Sequence, residues 1–106
     1  NKSKKTVALL CGDEHNYTRL QLSENTNIYP DNWSGNRIKI SRPFWQITNG
    51  AMGAPYYALE ETPWRSGLKK FSYQHALCIF NVNKKKISME VINPDNLELI
   101  EKVDLK

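Results

Sequence analysis

The sequence predicts a mainly β chain. Three observations carry this: apolar runs of strand length, period-two alternation in several of them, and no stretch with the apolar period and caps of an amphipathic helix. Thr6–Cys11 is a continuous apolar run and reads as a central strand buried on both faces. Tyr17–Leu22 alternates, with Thr18, Leu20 and Leu22 on one side and Tyr17, Arg19 and Gln21 on the other, as a half-buried strand does. Residues 23–36 are polar and hold Pro30, Asp31 and Gly35, so they form a loop. Arg37–Thr48 resumes as an extended segment, with Ile38 and Ile40 inward, Arg37 and Lys39 outward, and Pro43 marking a bulge or an edge. Asn49–Pro55 is built from small residues and predicts a tight loop where backbone comes close to another part of the molecule. Tyr56–Lys70 reads as a long irregular loop, rich in Tyr and Trp, of a kind that is often functional. Phe71–Val82 and Lys86–Ile92 form a hairpin across Asn83-Lys84-Lys85, with Ile87, Met89 and Val91 pointing in. Asn93–Asn96 is a turn, and Leu97–Leu105 a last strand with Leu97, Leu99 and Val103 on one face.

The 106 residues suffice for one domain with a modest core. The chain begins at Asn1 rather than Met and is expected to be a processed piece of something longer. Its net charge of +4 comes mostly from Asn1–Lys5 and Lys84–Lys86, a terminus and a hairpin tip. Lysines at such places serve solubility and edge protection. Nucleic-acid binding would gather the charge on one face, so no nucleic-acid partner is expected. No apolar run approaches a membrane span and nothing resembles a signal peptide, which leaves the compartment open. Cys11 and Cys78 both fall in expected strands, as buried free thiols or as an inter-strand disulfide. There is no Cys-x-x-Cys to hold a structural zinc ion.

Chemistry concentrates in Leu9–Arg19. An apolar strand ends at Gly12 and then presents Asp13, Glu14 and His15, a common way to hold a metal ion rigidly. The only other histidine is His75.

The segment Gly12-Asp13-Glu14-His15-Asn16-Tyr17-Thr18-Arg19 resembles the last metal motif of the calcineurin-like metallophosphoesterases, a Gly-His-x-His after a buried strand. Asn16, Tyr17, Thr18 and Arg19 match the continuation found in the purple acid phosphatase branch. Trp45–Gly53 resembles the strand and glycine-rich loop near that family's active-site mouth, and Phe71–Ala76 with the following hairpin resembles the terminal strands of its second sheet. The similarity covers most of Val7–Leu105. It implies the C-terminal sheet portion of a two-sheet α/β sandwich, here a helix-poor fragment. It also implies a hydrolase acting on phosphate mono- or diesters through two divalent or trivalent metal ions (Mn, Fe or Zn). Such ions polarise phosphoryl oxygens and lower the pKa of a bound water. His15 takes the place of the motif's second histidine and inherits its role as metal ligand. Asp13 stands where the first histidine would be. It either binds a metal through oxygen or orients His15 from behind. The earlier Asp-x-His, Gly-Asp and Asn-His blocks are absent from Asn1–Lys106. The rest of the parent catalytic domain is therefore an expected partner, and the chain is expected to be inactive alone.

Each candidate has a plainer reading. His15 can close a turn by hydrogen bonds. Glu14 can point to solvent, and Asn16 can hold a backbone carbonyl. His75 in an apolar strand reads first as a structural histidine. Arg19 is either a packing or surface residue or a fork for phosphate oxygens. Asn49, Gly50 and Gly53 either cradle substrate through backbone N–H groups or permit a turn. Trp33, Tyr56, Tyr57 and Trp64 either cap the core edge or line a cleft. The alternative function is a small β-sandwich module that binds ligands through loop aromatics. The sheet edges of a fragment would also allow a dimer.

Overall fold

Alternation along seven strands builds two facing sheets in the computed structural model, which describes residues 4–53 and 55–106. Sheet A contains β1 (Ala8–Cys11), β2 (Tyr17–Leu22), β3 (Phe44–Asn49) and β4 (Leu68–Ser72), in the spatial order β1-β3-β2-β4. Sheet B is a meander of β5 (Leu77–Asn83), β6 (Lys86–Ile92) and β7 (Leu99–Asp104). β1 runs parallel to β3, and every other pairing is antiparallel. Among the described residues the single helical element is a 3₁₀ turn at Arg65–Gly67. The fold is thus mainly β and helix-poor. No helix among these residues is long and apolar enough to cross a membrane.

The core lies between the sheets. Tyr17 and Ile47 from sheet A meet Met89 and Val91 from sheet B, with Ala51, Ala76 and Leu105 closing the ends. Each large apolar side chain so buried contributes about 1.5–3 kcal/mol relative to exposure. Six hydrogen bonds, centred on Trp45, Asn49 and Glu101, stitch the layers together. The Trp45 indole N–H donates to the Leu105 carbonyl at 3.2 Å. The Asn49 amide donates to the Ala76 carbonyl at 3.1 Å and to Cys78 Sγ at 3.4 Å. Glu101 of β7 accepts from Tyr17 Oη at 2.6 Å and from Arg19 Nε and Nη2 at 2.8 Å each.

β2, β6 and the β5–β6 hairpin lie where the alternation puts them, and Ile87, Met89 and Val91 face the core. Four expectations are corrected. The Thr6–Cys11 run is not a central strand: β1 is an edge, and Leu9 and Leu10, on opposite faces, are 51% and 60% exposed. β2 is the doubly covered strand instead, buried along Asn16–Leu20. The extended segment Arg37–Thr48 becomes a strand only from Phe44, just after Pro43, and Ile38 points to solvent while Ile40 is buried. The run Phe71–Val82 is two strands, because residues 73–76 carry the chain from sheet A to sheet B. In the last strand a register shift between Val91 and Ile92 brings Ile100, not Leu99, against the core. Of the lysine-rich terminus, Asn1–Ser3 lie outside the described residues, as does Ala54 of the small-residue loop.

Cys11 and Cys78 are both free thiols, half-buried rather than buried. Burial pushes the Cys78 thiol up to about 11, against the opposing hydrogen bond from Asn49.

Candidate functional site

Parallel pairing carries the C-terminal ends of β1 and β3 to the same end of sheet A. Loops beyond the carboxyl ends of parallel strands are where α/β sheets place their ligands. Here the Gly12–Asn16 turn follows β1, the loop from Gly50 to Tyr57 follows β3, and the two dock on each other. Gly50 N–H donates to the Asn16 carbonyl at 3.2 Å, and Tyr57 N–H donates to the His15 carbonyl at 3.1 Å. A Cβ on Gly50 would sit 2.3 Å from the Glu14 carbonyl oxygen. Only a glycine admits the turn that closely, which is the approach the small-residue loop predicted.

His15 is held from three sides. Its Nδ1–H donates to the Pro55 carbonyl at 2.8 Å, since a carbonyl oxygen can only accept. Its ring stacks on Tyr57, with centroids 4.1 Å apart and planes 16° from parallel. The backbone contact to Tyr57 fixes the third side. The Nδ1–H bond to the Pro55 carbonyl selects the tautomer in which Nε2 carries a lone pair, the arrangement that metal-ligating histidines adopt. Asp13 is exposed and sits at φ 74°, a left-handed conformation that Asp tolerates at some cost. Glu14 is exposed, as its plain reading held.

The remaining candidates separate. Arg19 lies between the sheets with its fork taken by Glu101 and its guanidinium over the Trp45 ring at 4.7 Å. Its hydrogen bonds to Glu101 raise its pKa further, so it is a fixed charge facing a carboxylate. Asn49 is turned into the inter-sheet layer toward Ala76 and Cys78. Gly50 is sealed under the Glu14 backbone, whereas Gly53 is exposed at φ 82° with open space around it. His75 Nδ1–H donates to Asp95 Oδ2 at 2.7 Å, the structural role its plainer reading gave it, in the connection between β4 and β5. The structure therefore gathers His15, Asp13, Gly50 and Gly53 at one end and leaves Arg19 and Asn49 inside.

Two participants escaped the sequence reading. The Pro55 carbonyl is a backbone group 40 residues from His15, and Tyr57 carries no pattern that pairs it with a histidine. Among the described residues, no three His, Cys, Asp or Glu side chains converge as a metal-binding group. His15 and Asp13 would supply part of a site. Set against protein-family models, curated proteins and solved structures, the chain matches none.

Proposed function

We propose that this chain is the C-terminal part of a metal-dependent phosphoesterase, with His15 as a metal ligand through Nε2. The observation that carries the reading is the Nδ1–H bond from His15 to the Pro55 carbonyl, which leaves Nε2 as the free, basic nitrogen. The backbone strain at Asp13, beside His15, supports it, because such strain concentrates at functional sites. The edge position of β1 supports the parent-domain reading. A strand apolar on both faces and paired in parallel has the pattern of a sheet that continues on its free side.

A bound metal pair would supply charge to polarise the phosphoryl oxygens of a mono- or diester. This chain's own part is to hold the imidazole still. The Pro55 carbonyl fixes the tautomer, Tyr57 fixes the ring plane, and Gly50 keeps the two loops in register. Asp13 orients or ligates from the same turn, and exposed Gly53 leaves its backbone N–H open to a substrate oxygen.

The test measures metal-dependent hydrolysis of an aryl phosphomonoester and diester by this chain alone and by the chain joined to its upstream sequence. Turnover is expected only in the joined protein. His15→Ala there should lower kcat/KM by at least about 100-fold, the scale of lost metal or metal-shell groups. Long-range ¹H–¹⁵N correlation on the chain alone should show His15 protonated at Nδ1. An Nε2-protonated imidazole, or full activity in His15→Ala, would sink the assignment.

A further inference from the structure

The outward face of sheet A holds a cavity that begins at the Glu14–Asn16 turn and runs along β2 and β3. Thr18 and Leu20 alternate with Tyr17 and Arg19 along β2, so they point away from sheet B. Gln46 and Thr48 do the same on β3. The segment 58–65 crosses over them and encloses a cavity of about 190 Å³. That is room for several waters, the scale of one sugar ring.

Its floor is polar and buried. Asn16, Thr18 and Thr48 are 4%, 9% and 6% exposed, and half-buried Gln46 follows Thr48 along the same face, opposite Leu20. Their side chains make no hydrogen bond to any described residue, yet none of their polar atoms is sealed from the void. Two carboxamides and two hydroxyls thus face a cavity with their hydrogen-bonding capacity unused. Donors and acceptors that the fold itself leaves unpaired and open to the void can bond a ligand's polar groups. Leu59 and Trp64 of the crossing segment, with Leu68 of β4 beside Leu20, supply the apolar lining. At the rim stand Glu14 and Glu60, which repel anions and accept hydroxyl protons. The one cation there, Arg65, is engaged by Glu61.

We propose that this cavity binds a neutral, polyhydroxylated ring of monosaccharide size. Ring hydroxyls meet Asn16, Thr18, Gln46 and Thr48, while the ring's C–H face lies on Trp64. The amides and hydroxyls both donate and accept, as sugar hydroxyls do. The rim carboxylates select against phosphate and phosphosugars. The site shares the Glu14–Asn16 turn with His15 but requires no metal and stands apart from the phosphoesterase reading.

The experiment titrates ¹⁵N-labelled full chain with D-glucose, D-galactose, D-mannose and inorganic phosphate, followed by backbone, side-chain amide and indole resonances. At least one sugar should give saturable shifts at Asn16, Thr18, Gln46, Thr48 and the Trp64 indole, with a millimolar Kd, and phosphate should leave these signals in place. Thr48→Val, which keeps the shape of the floor, should weaken that sugar severalfold, and Trp64→Ala at least about tenfold. Absence of saturable shifts with all three sugars overturns the proposal. So does binding of equal strength in Thr48→Val, which remains informative if Trp64→Ala fails to fold.

Discussion

Replacing Glu101 by Ala should cost the fold about 3–5 kcal/mol, read as a loss in the free energy of urea unfolding. Glu101 is one of three groups in a closed network between the sheets. Its two oxygens take both forks of Arg19 and the Tyr17 hydroxyl, and the Arg19 and Glu101 side chains are each 10% exposed. Removal leaves a buried guanidinium and a buried hydroxyl with nothing to meet, and that uncompensated charge is the main penalty. Replacing the network as a whole behaves differently. Tyr17→Phe, Arg19→Met and Glu101→Leu together should recover most of the loss, since an apolar core of that volume needs no partners. A deficit below about 1 kcal/mol in Glu101→Ala would show that water reaches the network. The same network sets the acid limit. Burial alone would raise the Glu101 pKa, but the hydrogen bonds from Arg19 and Tyr17 outweigh it and hold the carboxyl below its usual value. The folded protein therefore resists protonation that the unfolded chain accepts. The contribution is complete above the unfolded carboxylate pKa, about 4.3, and is lost as pH falls through the lower folded value. Glu101→Gln should flatten that limb of the stability curve.

Gly50→Ala should destabilise by about 3 kcal/mol, the upper part of the range for overpacking. The added methyl meets the Glu14 carbonyl oxygen at 2.3 Å and its carbon at 2.9 Å. Both are backbone atoms, so no rotamer change relieves the clash, and the Gly12–Asn16 turn must move. Its movement strains the Gly50–Asn16 hydrogen bond and disturbs the contacts that hold His15. Gly53→Ala is the comparison. Nothing lies near its Cβ, and only the positive φ of 82° resists, for about 1–2 kcal/mol. Equal losses from the two substitutions would contradict a steric seal at Gly50.

Much of the strand layout was legible because alternation is a local signal. β2 and β6 follow it along their length, and the β5–β6 hairpin declares itself through Asn83-Lys84-Lys85. Position within a sheet is not local. The β1 run looks like a central strand because it is apolar on both faces, but centrality depends on neighbours, and β1 has one. The split of Phe71–Val82 hides for a similar reason: Ser72-Tyr73-Gln74-His75-Ala76 holds no proline or glycine to mark the passage between layers. At the site, the small-residue loop announced a close backbone approach and Gly50 makes it. Arg19 was ambiguous because its fork fits a carboxylate as well as a phosphate, and its carboxylate lies 82 residues away.

The two sheets also differ in how far apart along the chain their partners stand. In sheet B, Asn83 pairs with Lys86, and β7 folds back on β6 after one turn. In sheet A, Ala8 waits for Trp45, and Tyr17 for Ser72. Closing long loops costs more entropy before any contact repays it, so the meander can assemble while β1 to β4 are still searching. Refolding of this chain should begin at its C-terminal third, and the His15 loops, which depend on β1 and β3 lying side by side, belong to its last stage.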